Sequence, residues 1–466
     1  MKYLVGIDIG TTSLKAAVFD EKANMLKSVT RDYTLDVKGD FVEFEATEYW
    51  NMTLSAINEI RKEYDIYALS IDTQCETLII TDNLANPVCP AIVWLDNRAV
   101  EQAKKIQQHF GEKEVYNVTG QPEINATWPA SKLLWLKEHN SDVFEKAQKI
   151  FLLEDYLLYK LTGQFVTQET LQSSTIYYDI KNHVWWKDML DFIGLDVCKL
   201  PKVCKSGELI GEYEGIKIVT GAMDQVAGAI GAGVVKKGIV SEMTGTTMAV
   251  FAISDEIPEY TPLNKVPCHL NYDGKYCLLM WSPTAGIALK WFKNNFCENY
   301  GFKELDELAE KIPVGCDGLT FLPYLCGSVM PKYNPQARGV FYGLSMEHTR
   351  GHAVRSILEA VACMLKSNLD YIGVECSEVR SMGGGSHSPL WCRIKADMTG
   401  KTLVTLKNDE TACLGSAILA GVATGVFESV ETACNIAVNI NNVYTPTGVD
   451  YTDCYERYCK VDDKIY

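Results

Sequence analysis

An α/β chain built from two related halves is the fold class the sequence predicts, and three observations carry the prediction. The chain has 466 residues, more than a single hydrophobic core sustains, so at least two lobes are expected. Apolar strands lead directly into helical stretches, as where the strand at 216–220 precedes a close-packed, glycine- and alanine-rich helix at 227–233. A hairpin with a Gly-Thr-Thr tip occurs near the N-terminus and returns far downstream.

The first hairpin is predicted from the strand Lys2 to Ile9, the tip Gly10-Thr11-Thr12, and a second strand from Ser13 to Asp20 with alternating apolar positions. The second runs from Gly238 to Thr244, turns at Gly245-Thr246-Thr247, and continues through the apolar stretch Met248 to Ile253. Glycine lets backbone approach a ligand closely, and the following N–H and hydroxyl groups can converge on one anion. One such tip is an ordinary hairpin; two, at the starts of two similar halves, point to a polyphosphate.

Neither a Gly-x-x-x-x-Gly-Lys-Ser/Thr loop nor a strand followed by Gly-x-Gly-x-x-Gly occurs, which excludes the P-loop and dinucleotide-binding alternatives. Asp8 is a charged residue inside an apolar strand, and a buried unpaired carboxylate is costly. Hydrated magnesium is the natural partner, hydrogen bonds from the turn the alternative. Lys15, on the second strand, is placed either to reach a phosphate oxygen or to be solvated.

Composition bounds the partners. The chain is 47% hydrophobic and 22% charged, with its 34 glycines and 15 prolines spread along its length, as in an ordinary globular protein. Forty-four basic against sixty acidic residues leave a formal charge of -16, which disfavours nucleic acid and anionic membranes. A polyphosphate held at the hairpin tips would need its charge met locally. Sixteen cysteines without a Cys-x-x-Cys pair, together with an apolar strand at the start of the chain, lead to the expectation of reduced thiols in a cytoplasmic protein. No apolar run approaches the roughly 20 residues of a membrane span.

Asp8-Ile9-Gly10-Thr11-Thr12-Ser13 with Gly245-Thr246-Thr247 resembles the phosphate loops of the superfamily that holds actin, heat-shock chaperones and sugar kinases, and specifically the FGGY carbohydrate kinases. Trp128 to His139 is similar to that family's first signature, departing at Thr127. Gly339 to Leu344, through His352 and on to Glu359, is similar to the second, departing at Ala353. The resemblance implies two actin-like (ribonuclease H-like) lobes, each a mixed five-stranded sheet with flanking helices, separated by a cleft. Residues 1–240 would bind the sugar and 241–466 the nucleotide. It implies ATP and Mg2+ as cofactors, a small carbohydrate as substrate, and an oligomeric state left open between monomer and homodimer.

The catalytic base follows from Gly221-Ala222-Met223-Asp224-Gln225, at a strand-to-helix junction. From spacing alone Asp224 is equally a helix N-cap. The family pattern makes it the general base that takes the proton of the attacking hydroxyl, with Gln225 on a second hydroxyl. The sugar pocket is expected at two strand ends, Thr73-Gln74-Cys75-Glu76 and Trp94-Leu95-Asp96-Asn97-Arg98. Glu76 would accept from a hydroxyl pair, and Trp94 would offer a flat apolar face. Asp96 and Arg98 are equally placed to pair with each other.

Xylulose kinases carry Gln-Met-His-Gly where this chain has Gln74-Cys75-Glu76-Thr77, while glycerol kinases carry an Arg-Glu pair there. The overall motif style is closer to xylulose kinases, and Glu76 resembles the glycerol kinase residue. The expected substrate is therefore D-xylulose or a similar ketopentose, with a polyol such as glycerol or erythritol second.

For the nucleotide, Met382-Gly383-Gly384-Gly385-Ser386-His387-Ser388 follows a strand at 378–381, where bare backbone would admit a flat adenine. Gly286 and Lys290 resemble part of another nucleotide-contacting helix. The small-residue helix from Glu410 through Gly421 reads as packing. A non-catalytic carbohydrate sensor of the same fold is the alternative outside enzymes, and intact Asp8 and Asp224 argue against it.

Overall fold

The computed structural model describes residues 2–262 and 265–466; Met1 lies outside them. The chain forms two compact units. The first comprises Met1–Val235, Asp255–Cys277 and Glu410–Val438, and the second Lys236–Ser254, Leu278–Asp409 and Asn439–Tyr466. The units are not contiguous halves, because the first also takes in two downstream segments.

In the first unit, β1 (Tyr3–Ile9) and β2 (Ser13–Phe19) form the expected hairpin, and β3 (Met25–Asp32) extends it. β4 (Ile66–Thr73) lies parallel to β1, a pairing that requires a crossover, supplied here by the helix Ala46–Arg61. β5 (Leu209–Tyr213) and β6 (Ile216–Val219) complete a sheet ordered β5-β6-β4-β1-β2-β3.

Period-two alternation assigns the two faces of β1. Val5, Ile7 and Ile9 join the core cluster that includes Tyr49, Ile57 and Ile60 of the Ala46–Arg61 helix. Gly6 faces the other way, toward the helix Thr411–Ala423, and a Cβ built on Gly6 would stand 1.8 Å from the Cys413 carbonyl oxygen. Asp8 lies on that same face.

The Thr411–Ala423 helix approaches as closely to the helix Asp224–Gly231. A Cβ on Gly231 would meet the Thr411 carbonyl oxygen at 1.8 Å, and one on Gly415 the Ala227 carbonyl oxygen at 1.9 Å. Its small residues therefore serve packing, as the sequence led us to expect.

The second unit repeats the plan. β7 (Gly238–Thr244) and β8 (Met248–Ser254) form the second hairpin; β9 (Tyr276–Ser282), β10 (Cys376–Met382), β11 (Thr402–Leu406) and β12 (Ile440–Tyr444) give the run β9-β8-β7-β10-β11-β12 within a seven-stranded sheet. Each first hairpin strand is flanked by two successive parallel strands, β4 and β6 in one unit, β10 and β11 in the other. Five strands per sheet were expected; the first sheet has six and the second seven. β5 and β12 pair antiparallel with the last parallel strand, satisfying backbone groups that an open edge would expose.

The duplication extends to register. Asp8 stands opposite Asp72 on β4 and Lys15 on β2. The corresponding positions of the second unit hold Met243, opposite Met382 and Ala249.

All sixteen cysteines are free; Cys198 and Cys326 are exposed, Cys89 and Cys459 half-buried, and the other twelve buried. Among the described residues no helix is long and apolar enough to cross a membrane.

Candidate active site

Asp224 opens the helix Asp224–Gly231, directly after Met223, whose backbone bridges to Thr73. Two side chains hold the loop that carries it. The Gly221 N–H donates to Glu154 Oε1 at 2.8 Å, and the Met223 N–H donates to Thr170 Oγ1 at 2.8 Å. Gly221 itself passes so near β4 that a Cβ would lie 1.8 Å from the Ile71 carbonyl oxygen. The carboxylate accepts from the Gln225 N–H at 2.7 Å, and the Cys75 thiol lies 3.8 Å from Oδ1.

Burial, and then the charge of Asp8, push the Asp224 carboxyl up to about 7, with the Gln225 and Cys75 contacts opposing. Asp8 is itself pushed up to about 6 by burial, against the pull of the Lys15 ammonium. Asp72 is fully buried and raised well above the carboxylate range by burial and by Asp8. Its Oδ2 accepts from Ser416 Oγ at 2.6 Å, and its carboxyl also shares a hydrogen bond with that of Asp8. The Lys15 ammonium donates to both oxygens of Glu410, at 3.0 and 2.8 Å.

The first tip is built as expected: Gly10 N donates to the Ser13 carbonyl at 3.0 Å, and Tyr33 OH donates to the Gly10 carbonyl. Trp94 Nε1 donates to Thr11 Oγ1 at 3.0 Å, which joins this tip to one of the two loops expected to hold sugar. Thr12 completes the turn, its carbonyl accepting from Tyr33 N at 3.0 Å.

Within the other loop, Glu76 takes a left-handed backbone conformation, φ 57°, uncommon for a residue with a side chain. Lys132 holds it there. This fully buried lysine donates to the Glu76 carbonyl at 3.2 Å and to the Val93 carbonyl at 2.9 Å, tying the two loops together. Burial raises Glu76 and lowers Lys132, and the attraction between their charges opposes both shifts. Gln74 is only 3% exposed and donates to Tyr49 OH at 3.0 Å, so its amide faces the core. Asp96 and Arg98 do pair, through two contacts of 2.8 Å, and Arg98 also reaches Glu43.

Residues the sequence reading passed over complete the surroundings. Ser174 acts on both Cys75 and Glu76. Beyond it lies His269, which burial keeps neutral, with Ser174 Oγ 3.3 Å, Ser173 Oγ 3.4 Å and Gln121 Nε2 3.3 Å from Nδ1. Lys132 stood inside the quoted family signature, and Asp72 carries the signal that singled out Asp8, a charge in an apolar strand. Nothing local marked His269.

In the second unit, Gly245, Thr246, Gly286, Lys290, Gly384, Gly385 and Ser388 line one cavity of about 550 Å³. Thr247 and Gly383 are outside its lining. The backbone N–H groups of Ala285 and Ile287 donate to the Thr246 carbonyl at 3.0 and 3.3 Å, fixing the tip to the start of the helix Gly286–Phe296. Gly383, at φ 74°, and Gly385 pass close to Thr244, whereas Gly384 has open space at its Cα. Ser388 caps the helix Pro389–Thr399 through the Trp391 N–H and donates to Asp306 Oδ2 at 2.6 Å. Lys395, fully buried, donates to Glu242 at 2.6 Å and to Thr244 Oγ1 at 2.8 Å, bracing the strand that ends in the tip.

Comparison with known proteins gives concordant results. The models of the FGGY family of carbohydrate kinases match residues 3–231 with the N-terminal domain and 243–424 with the C-terminal domain. A xylulose kinase from Staphylococcus epidermidis is 28% identical, covering 99% of this chain and 96% of its own. A gluconokinase from Bacillus subtilis is also 28% identical, covering 96% and 92%. Among solved structures, a ligand-bound xylulose kinase from Lactobacillus acidophilus superposes with a TM-score of 0.94 at 25% identity, over 100% of this chain and 98% of its own.

Proposed function

Because the chain belongs to the FGGY family of carbohydrate kinases, we propose that it transfers the terminal phosphoryl group of ATP to a hydroxyl of D-xylulose or a similar ketopentose, with Asp224 as general base. The observation that carries this reading is the setting of Asp224: a carboxylate on a braced loop, held near neutrality by burial. As the sugar oxygen attacks the terminal phosphorus, its proton passes to Asp224, the bond to the bridging oxygen breaks, and ADP leaves. Gln225, Glu76 and Trp94 orient the sugar so that the attack is in line.

The cavity of the second unit takes the nucleotide, with the Gly245-Thr246 backbone toward the phosphates and Gly384 admitting the base. The Asp8 carboxyl, at the end of the strand that leads into the first tip, suits a hard cation, and magnesium held there would offset polyphosphate charge. A reducing cytoplasm suits sixteen free thiols.

A coupled assay of ADP release over ketopentoses, aldonates and polyols tests the reading, and D-xylulose is expected to give the highest kcat/KM. Glu76 favours a polyol as the second reading; glycerol or erythritol outrunning every ketopentose would establish it. For the true acceptor, Glu76→Ala is expected to raise KM roughly thirtyfold, the equivalent of about 2 kcal/mol for a lost charged hydrogen bond. An unchanged KM for every acceptor would remove this loop from the pocket.

The pH profile gives a separate check. Only ionised Asp224 accepts a proton, so kcat/KM should rise with pH through an acid limb centred near 7 and level off above it. A limb in the ordinary carboxylate range, near 4, would mean that Asp224 is not the titrating base.

A further inference from the structure

We propose that, in the cavity read above as the nucleotide site, the buried ion pair of Lys395 and Glu242 is a positioning element: acting through Thr244, it sets the glycine loop against which the nucleotide lies. This role rests on that reading of the cavity.

Lys395 and Glu242 are both 0% exposed, with 2.6 Å between their charged atoms. Thr244 bonds to each of them. Its hydroxyl donates to Glu242 Oε2 at 2.6 Å and accepts from the Lys395 ammonium at 2.8 Å. Ser381 Oγ donates to the other Glu242 oxygen. With its hydroxyl committed to both charges, Thr244 keeps one χ1 rotamer, and its methyl is fixed with it. The glycine loop packs on that residue: a Cβ on Gly385 would stand 2.7 Å from Thr244 Cγ2, and one on Gly383 2.9 Å from the Thr244 carbonyl oxygen. Thr244 and Gly385 line the cavity, as does Trp391, whose ring centroid lies 5.1 Å from the Lys395 ammonium. One ion pair thus touches two walls of the cavity and sets a third.

The first unit supplies an internal control. The register positions of Glu242 and Thr244 on β7 are those of Ile7 and Ile9 on β1, and Ser381 on β10 matches Ile71 on β4. All three isoleucines are fully buried, so the repeated plan fills this face with apolar side chains and has no architectural need for charges. Taking two charges out of water offsets much of their attraction, and apolar replacement of both is often neutral for stability. The pair therefore serves the site it shapes rather than the fold.

The test is the paired variant Lys395→Met with Glu242→Leu, which removes both charges with little change of volume. Thermal melting, calorimetric titration with ADP, and turnover with the best acceptor are compared with wild type. The paired variant should melt no earlier than wild type, yet bind ADP about tenfold more weakly or worse. Its KM for ATP should rise in proportion while kcat stays within about threefold, a split that a general loosening of the fold would not produce. An earlier melt, or failure to fold, would make the pair a stabilising element and overturn the proposal; unchanged ADP affinity would overturn it too. Gly384→Trp, which places a large side chain in the cavity, separates the two readings. A wild type that binds no ADP, or ADP binding undiminished in Gly384→Trp, would sink the cavity reading and the positioning role with it. ADP binding lost in Gly384→Trp but indifferent to the paired variant would sink the positioning role alone.

Discussion

Asp224→Ala is expected to lower kcat about 10³-fold, close to 4 kcal/mol of transition-state stabilisation, while changing the KM for ATP less than about twofold. The asymmetry arises because Asp224 belongs to the first unit, on the loop braced by Glu154 and Thr170, whereas the cavity proposed for the nucleotide is lined wholly by the second. Asp224→Asn keeps the shape and should lose activity comparably.

Stability should move the other way. With a folded pKa near 7 against about 3.9 unfolded, native Asp224 binds a proton that the unfolded chain has released, so stability falls as pH rises through that interval and stays low above it. The Asn variant lacks this loss, so its Tm should exceed that of wild type at pH 8 and match it more nearly at pH 4. An inactive Asn variant that also melts earlier at pH 8 would be a folding defect rather than loss of the base.

The second large effect is structural. Gly415→Ala should destabilise the chain by about 3 kcal/mol, the upper end of the range for overpacking, because its new methyl would stand 1.9 Å from the Ala227 carbonyl oxygen and backbone must move to admit it. The strain enters at the helix that opens with Asp224, so activity should fall with stability. Gly384→Ala is the control: its Cβ meets nothing within 4 Å, and stability should change by less than about 0.5 kcal/mol. Equal urea midpoints for the two variants would show that the close helix approach relaxes freely.

What the sequence revealed and what it concealed divide along physical lines. The two hairpins were legible because tip glycines and alternating apolar residues are local signals, and each appears within a residue or two of its expected place. The Asp224 junction was legible as a strand-to-helix turn, although reading it as the base required the family resemblance. Lys132 stood in the quoted signature without a role of its own; that its ammonium joins the Glu76 and Val93 carbonyls is a tertiary fact. His269 was invisible because the segment Asp255–Cys277 joins the first unit only in the folded chain. Gln74, read as a pocket residue from its place at a strand end, turns its amide to Tyr49, and no periodicity distinguishes those two directions.

The distribution of thiols offers a route to watching the protein at work. Cys198 belongs to the first unit and Cys326 to the second, and both are exposed while twelve others are buried. With Cys89 and Cys459 replaced by serine, maleimide dyes would enter at one position per unit without any new cysteine being introduced. The neighbouring Asp196 raises the Cys198 thiol pKa, so labelling at Cys198 quickens as the pH is raised. The native chain thus carries its own donor and acceptor positions for single-molecule energy transfer, and sugar and nucleotide can each be added alone to learn which of them changes the distance between the dyes.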